Sequence, residues 1–248
     1  MPDILGYRAK FGVLGPSTNT VVQPEFDDMR PAGVTNHYSR IIVDNPAAIS
    51  DESFMAGTLE IDRCTLEAVR GVMTCEPDYL VMGMSAVTFY GGAEGCRKWK
   101  SNVENVAGVK ASLGSESLAA AFAAIGGIKK YALLSPYFPV ANTEVKKFLS
   151  DYGYESVRDH PMRCHSWINI AEQTAHRLRQ VVADIDGEDA DVIVQVGTNL
   201  PMAKLAATLE VELGKPVVAI NTATYWHALR ANGIFDKVSG FGRLLEEF

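Results

Sequence analysis

Two stretches of the chain end alike, Asp78-Tyr-Leu-Val-Met-Gly-Met-Ser85 and Asp191-Val-Ile-Val-Gln-Val-Gly-Thr198. Each reads as a buried strand that runs into a small-residue turn and closes on a hydroxyl. Two further loops carry a similar set, Gly15-Pro-Ser-Thr-Asn-Thr20 and Ser135-Pro-Tyr-Phe-Pro139. Together the four supply hydroxyls, amides and backbone N–H groups, and almost no charge. Such donors at helix N-termini can satisfy both oxygens of a carboxylate without a fixed cation. They also suit charge that develops during a reaction, where one well-aimed donor is worth about 10²–10³ in rate. The candidates are Ser85 and Tyr137 as reactive or charge-stabilising groups, with Ser17, Asn19, Thr198 and Asn199 as substrate donors and Met84 and Gly197 as further substrate-binding positions. Helix capping is the competing role for Ser85, Thr198 and one of the Ser17–Asn19 group, and Tyr137 could instead pack on Pro139 facing solvent.

The elements that must position these loops follow from hydrophobic spacing. Short β-rich runs are predicted at Lys10–Leu14, Tyr38–Val43, Tyr79–Met82, Lys130–Leu134, Tyr154–Val157, Val192–Gln195 and Pro216–Ile220. Apolar residues at i, i+3, i+4 spacing predict helices over Glu52–Met73, Glu94–Val106, Ser117–Ile125, Thr143–Asp151, Ile170–Ile185, Met202–Leu213 and Ala223–Ala231. Strand and helix alternate, and the strands are apolar on both faces, so parallel sheets covered by helices are expected. In such sheets ligands sit beyond the carboxyl ends of the strands, where all four loops fall.

The chain also resembles itself. Phe11-Gly-Val-Leu-Gly-Pro16 recurs as Tyr131-Ala-Leu-Leu-Ser-Pro136, and the Asp78 stretch recurs at Asp191. The similar offsets point to an α/β protein of two pseudo-symmetric halves, each a parallel sheet flanked by helices, with the site between them. The expected division is residues 1–113 plus the tail 222–248 against residues 114–221.

Composition narrows the class. With 248 residues, 47% apolar and 21% charged, the chain can bury a large core. A net charge of −7 disfavours nucleic acid and anionic membranes as partners, but not a small anion held by local donors. No run approaches the roughly 18 apolar residues of a membrane span, no secretion-signal pattern opens the chain, and Cys64, Cys75, Cys96 and Cys164 show no pairing pattern, so a cytoplasmic protein with free thiols is expected. His160, Cys164 and His165 lack the spaced partners of a metal site, and no metal or cofactor is expected.

The loop Pro16-Ser-Thr-Asn-Thr20, the stretch Met84-Ser-Ala-Val-Thr-Phe-Tyr-Gly-Gly92, the loop Gly197-Thr-Asn-Leu-Pro201 and the tail from Pro216 to Arg230 resemble the arylmalonate decarboxylase and maleate isomerase branch of the aspartate/glutamate racemase superfamily. The resemblance covers nearly the whole chain and implies two α/β halves enclosing a cofactor-free site for a small carboxylic acid. It also implies catalytic cysteines, one after the matched strand in each half, of which arylmalonate decarboxylases keep the second to protonate an enediolate. Here Met84, or Gly83 if the alignment slides by one, stands at the first position and Gly197 at the second. Thiolate addition and two-base racemisation both need those thiols. Decarboxylation survives their loss better, because donors matching Ser85, Tyr137 and the backbone around Thr198 can hold the enediolate. The expected activity is therefore a cofactor-independent decarboxylase of a malonate-type acid, with Cys164 as a relocated proton donor. Isomerisation or hydrolysis of a small dicarboxylate, or acid binding without turnover, are the alternatives, and a homo-oligomer is compatible with the exposed helices.

Overall fold

The computed structural model describes residues 3–248. Chain order is β1 (Ala9–Pro16), α1 (Val22–Asp28), β2 (Val34–Ile41), α2 (Asp51–Val72), β3 (Tyr79–Met82), α3 (Gly92–Ala107), β4 (Ala111–Ser112) and α4 (Gly114–Ile125). The order then repeats as β5 (Lys130–Ser135), α5 (Pro139–Asp151), β6 (Glu155–Pro161), α6 (Trp167–Ala171), α7 (Ala175–Ile185), β7 (Val192–Gln195), α8 (Ala203–Leu213), β8 (Val217–Ala219) and α9 (Ile220–Ala231), with α10 (Arg243–Glu246) closing the chain.

The strands form two parallel four-stranded sheets of identical topology, β2-β1-β3-β4 and β6-β5-β7-β8. The sequence repeat is a register repeat. Phe11 pairs with Tyr79 and Leu14 with Met82, while Tyr131 pairs with Val192 and Leu134 with Gln195. The aspartates that open the matched stretches do the same work twice: Asp78 accepts from the Lys10 N–H and Asp191 from the Lys130 N–H. By this register Met84 is the counterpart of Gly197, and Ser85 of Thr198.

Each sheet is sealed by fully buried side chains such as Phe11, Leu14, Leu80, Val81, Tyr131, Leu134 and Ile193, each worth about 1.5–3 kcal/mol on burial. The covering helices cross over. Tyr225 of α9 packs on Phe11 and Phe26 of the first half, with ring centroids 5.9 and 5.0 Å apart, and Phe122 of α4 packs on Tyr131 and Tyr154 of the second, at 6.1 and 4.9 Å. This packing supports the division we propose, residues 1–113 with 222–248 against 114–221.

Several elements differ from expectation. Strand β2 begins four residues early, at Val34, because an edge strand rich in polar residues (Thr35, Asn36, His37, Ser39) carries no apolar run. Strand β4 spans only Ala111–Ser112, too short for any period to show. The predicted helix over Ile170–Ile185 is two helices, broken where Thr174 caps α7 by accepting from the Arg177 N–H.

Candidate functional site

A cavity of about 40 Å³ lies between the carboxyl ends of the two sheets. Pro16, Thr18 and Asn19 from the loop after β1, Met84, Ser85 and Ala86 after β3, Tyr137 after β5, and Gly197, Thr198 and Asn199 after β7 line it, so all four matched loops converge there. Ile61 of α2 and Trp167 and Ile170 of α6 complete the wall with apolar surface. The space suits a few waters.

Ser85 and Tyr137 meet across the cavity. Ser85 Oγ and Tyr137 OH are 2.8 Å apart, one residue from each half, both almost fully buried. Ser85 follows β3, whose exit is fixed by the Gly83 N–H donating to Leu14 O, and its carbonyl accepts from both the N–H and the hydroxyl of Thr88. Its side chain caps no helix. Tyr137 is held through its backbone: its N–H donates to Ser135 Oγ, and the Cys164 and Arg163 N–H groups donate to Pro136 O and Tyr137 O. Its ring packs on Phe54, centroids 5.2 Å apart, and Phe54 in turn on Trp167 at 5.1 Å. Burial pushes the phenol well above its ordinary value, so it holds its proton through the neutral range. Tyr137 is the one ionisable side chain among the lining residues.

The counterpart of Ser85 does something else. Thr198 Oγ1 donates to Gly83 O at 3.0 Å and accepts from Asn19 Nδ2 at 3.1 Å, which ties the two halves together. Asn19 Oδ1 accepts from the Val21 and Val22 N–H groups, so its capping and site roles coexist. Asn199 accepts from the Thr20 N–H and donates to Trp167 O. Asn19, Thr198 and Asn199 thus line the cavity while fastening its walls to one another.

Two expectations are corrected. Ser17 is exposed and spends its hydroxyl on the Val43 backbone, outside the cavity. Cys164 is buried but does not line the cavity, and burial pushes its thiol up to about 11. Among the described residues no group of three His, Cys, Asp or Glu side chains is placed to hold a metal, and no described helix is long and apolar enough to cross a membrane.

Gly197 has a steric reason to be glycine. Its φ is +107°, and a Cβ there would stand 2.4 Å from Pro136 Cδ. Gly83 is closed too, since a Cβ would lie 2.6 Å from Val22 Cγ1 and 2.9 Å from Leu14 O.

Sequence reasoning missed Glu25. It sits in α1, behind the Thr198 loop, where Oε1 accepts from the Met202 and Ala203 N–H groups and Oε2 from Asn221 Nδ2 at 2.6 Å. The carboxylate thus does the capping of α8 that Thr198 was the candidate for. A glutamate in a short amphipathic segment carries no sequence signal for such a contact 177 residues away. His227 is enclosed by Ser112 and Ser117, with its Nδ1 3.0 Å from Ser117 Oγ.

A family model for arylmalonate decarboxylase matches residues 48–245 of this chain. Maleate isomerase of Pseudomonas putida is 26% identical over 95% of this chain and 96% of its own length. Among solved structures, a cysteine-to-serine variant of Nocardia farcinica maleate cis-trans isomerase with a covalently bound succinylcysteine intermediate has a TM-score of 0.83 at 20% identity, covering 96% of this chain and 98% of that one. A doubly substituted arylmalonate decarboxylase in its liganded form reaches 0.80 at 18% identity, covering 96% and 99%.

Proposed function

The chain belongs to the arylmalonate decarboxylase family, and from that premise we propose that it is a cofactor-independent decarboxylase of small malonate-type acids. The observation that carries the reading is the Ser85–Tyr137 pair, two hydroxyls 2.8 Å apart in a buried cavity where Tyr137 is the one ionisable lining group. In the proposed reaction the bond from the central carbon to one carboxylate breaks and releases carbon dioxide. The electron pair stays behind as an enediolate on the remaining carboxylate, held by the Ser85 and Tyr137 hydroxyls together with backbone N–H groups at Gly197 and Thr198. Tyr137 then gives its proton to the carbon and is reprotonated from solvent through Ser85. A phenol is a weak acid, but a carbon bearing enediolate charge is a far stronger base, so the transfer runs downhill.

Isomerisation is the second reading, favoured by the 26% identical maleate isomerase. The Nocardia relative carries a succinylcysteine intermediate, which takes a thiol at the substrate. No cysteine lines this cavity, and the resemblance places Gly197, with its closed Cβ position, where the second thiol belongs. Decarboxylation is therefore the stronger assignment.

Incubation with phenylmalonate and with maleate, followed by mass spectrometry, separates the two. Loss of carbon dioxide from phenylmalonate with maleate unchanged supports the decarboxylase; conversion of maleate to fumarate at constant mass replaces it with the isomerase.

A further inference from the structure

The Thr198 loop is held from behind by a relay that no residue of the cavity belongs to. Asn221, the second residue of α9, divides its amide nitrogen between two acceptors, Glu25 Oε2 at 2.6 Å and Thr198 O at 2.9 Å. Its Oδ1 is buried with no hydrogen-bond partner among the described residues. A buried acceptor left unpaired costs free energy, and it is retained here because turning the amide over would face Oδ1 toward Thr198 O and break that link.

We propose that Glu25 is a positioning residue for the cavity, holding Thr198 in place through Asn221 only while its carboxylate is ionised. All three of its partners are donors: the Met202 and Ala203 N–H groups and Asn221 Nδ2. An ionised carboxylate accepts from all of them. A proton on Oε2 opposes Asn221 Nδ2 with another donor, and the acceptor within reach is the free Oδ1 of the same amide. Protonation thus turns Asn221 over, satisfies Oδ1 and releases Thr198 O.

The surroundings make this change accessible near neutrality. Burial outweighs the three donors and pushes the carboxyl up to about 7. Lys204 of α8 lowers the value and is itself paired with Asp28 of α1. Arg40 of β2 is taken by Gln23 and by Asn19 O. Tyr225 of α9 gives its hydroxyl to Asn36.

Amide hydrogen exchange over the segment from Gly197 to Ala203 tests the relay directly, in wild type and in Glu25→Gln, whose amide imitates the protonated carboxyl at every pH. Protection factors remove the intrinsic pH dependence of exchange, and β5 serves as an internal control for folding. Wild-type protection of the loop should fall roughly fivefold between pH 8 and pH 6, the size of one lost hydrogen bond, and Glu25→Gln should show the low value at both. Equal protection in both proteins at both pH values would overturn the relay. The effect on turnover rests on the decarboxylase reading, and the two fail separately. Relay behaviour without phenylmalonate turnover removes the reading and leaves the relay. Turnover at the wild-type rate in Glu25→Gln, with flat protection, removes the relay and leaves the reading.

Discussion

Ser85 follows β3 of the first half and Tyr137 follows β5 of the second, and their hydroxyls lie 2.8 Å apart inside the cavity. Neither hydroxyl has another side-chain partner, which distinguishes them from Asn19, Thr198 and Asn199, whose side chains fasten the loops and α6 together. Replacing Ser85 by Ala should lower decarboxylation of phenylmalonate about 10²-fold, the effect of losing one aimed donor, with a destabilisation of no more than about 1–3 kcal/mol from the Tyr137 hydroxyl left without its partner. Loss of stability with turnover unchanged would make Ser85 a packing residue.

Thr198 should behave in the opposite way. Thr198→Val keeps the shape but strips Gly83 O of its donor and Asn19 Nδ2 of its acceptor. Two buried groups left unpaired predict a destabilisation of about 1–3 kcal/mol, read as a lower denaturation midpoint with an unchanged m-value. A stability equal to wild type would show that the two halves do not depend on this fastening.

Restoring a cysteine at Gly197 should not restore thiol chemistry. A side chain there meets Pro136 and must take φ +107°, a backbone strain of about 1–3 kcal/mol before any clash is counted. The expected Gly197→Cys protein is destabilised and makes no fumarate from maleate. Isomerase activity in a stable Gly197→Cys variant would mean that the loop readily moves aside.

Glu25 predicts a pH signature in stability. Its folded value, about 7, lies above its ordinary value of 4.5, so the folded state binds the proton more tightly than the unfolded chain. The stabilisation is therefore full below about pH 4.5 and is lost as pH rises toward 7. At 1.36 kcal/mol per unit it amounts to roughly 3 kcal/mol. Urea unfolding across this window should show a downward slope in wild type that is flatter in Glu25→Gln. Parallel slopes would place the titration elsewhere.

Much of this architecture was legible in the residues alone. Both α/β halves, their parallel sheets and the four converging loops follow from apolar strand runs and the recurrence of Phe11–Pro16 at Tyr131–Pro136. What the sequence could not settle was how each polar side chain spends its bonds. Ser85 and Thr198 look equivalent in sequence and hold equivalent register positions, yet one faces Tyr137 and the other Gly83 O. Cys164 is the proton donor the family resemblance suggests, but burial away from the cavity is invisible to spacing. Glu25 reaches its partners only through tertiary packing, so no local pattern announces it. The scaffold is built twice, and the facing pair of hydroxyls once.

The most direct test compares Tyr137→Phe with Cys164→Ala in the release of carbon dioxide from phenylmalonate. Tyr137→Phe removes the proposed proton donor without changing the ring's packing, and a fall of at least about 10²-fold is expected, with Cys164→Ala staying within about threefold of wild type. Collapse of activity in Cys164→Ala, with Tyr137→Phe still active, would contradict the account and return the proton to a thiol.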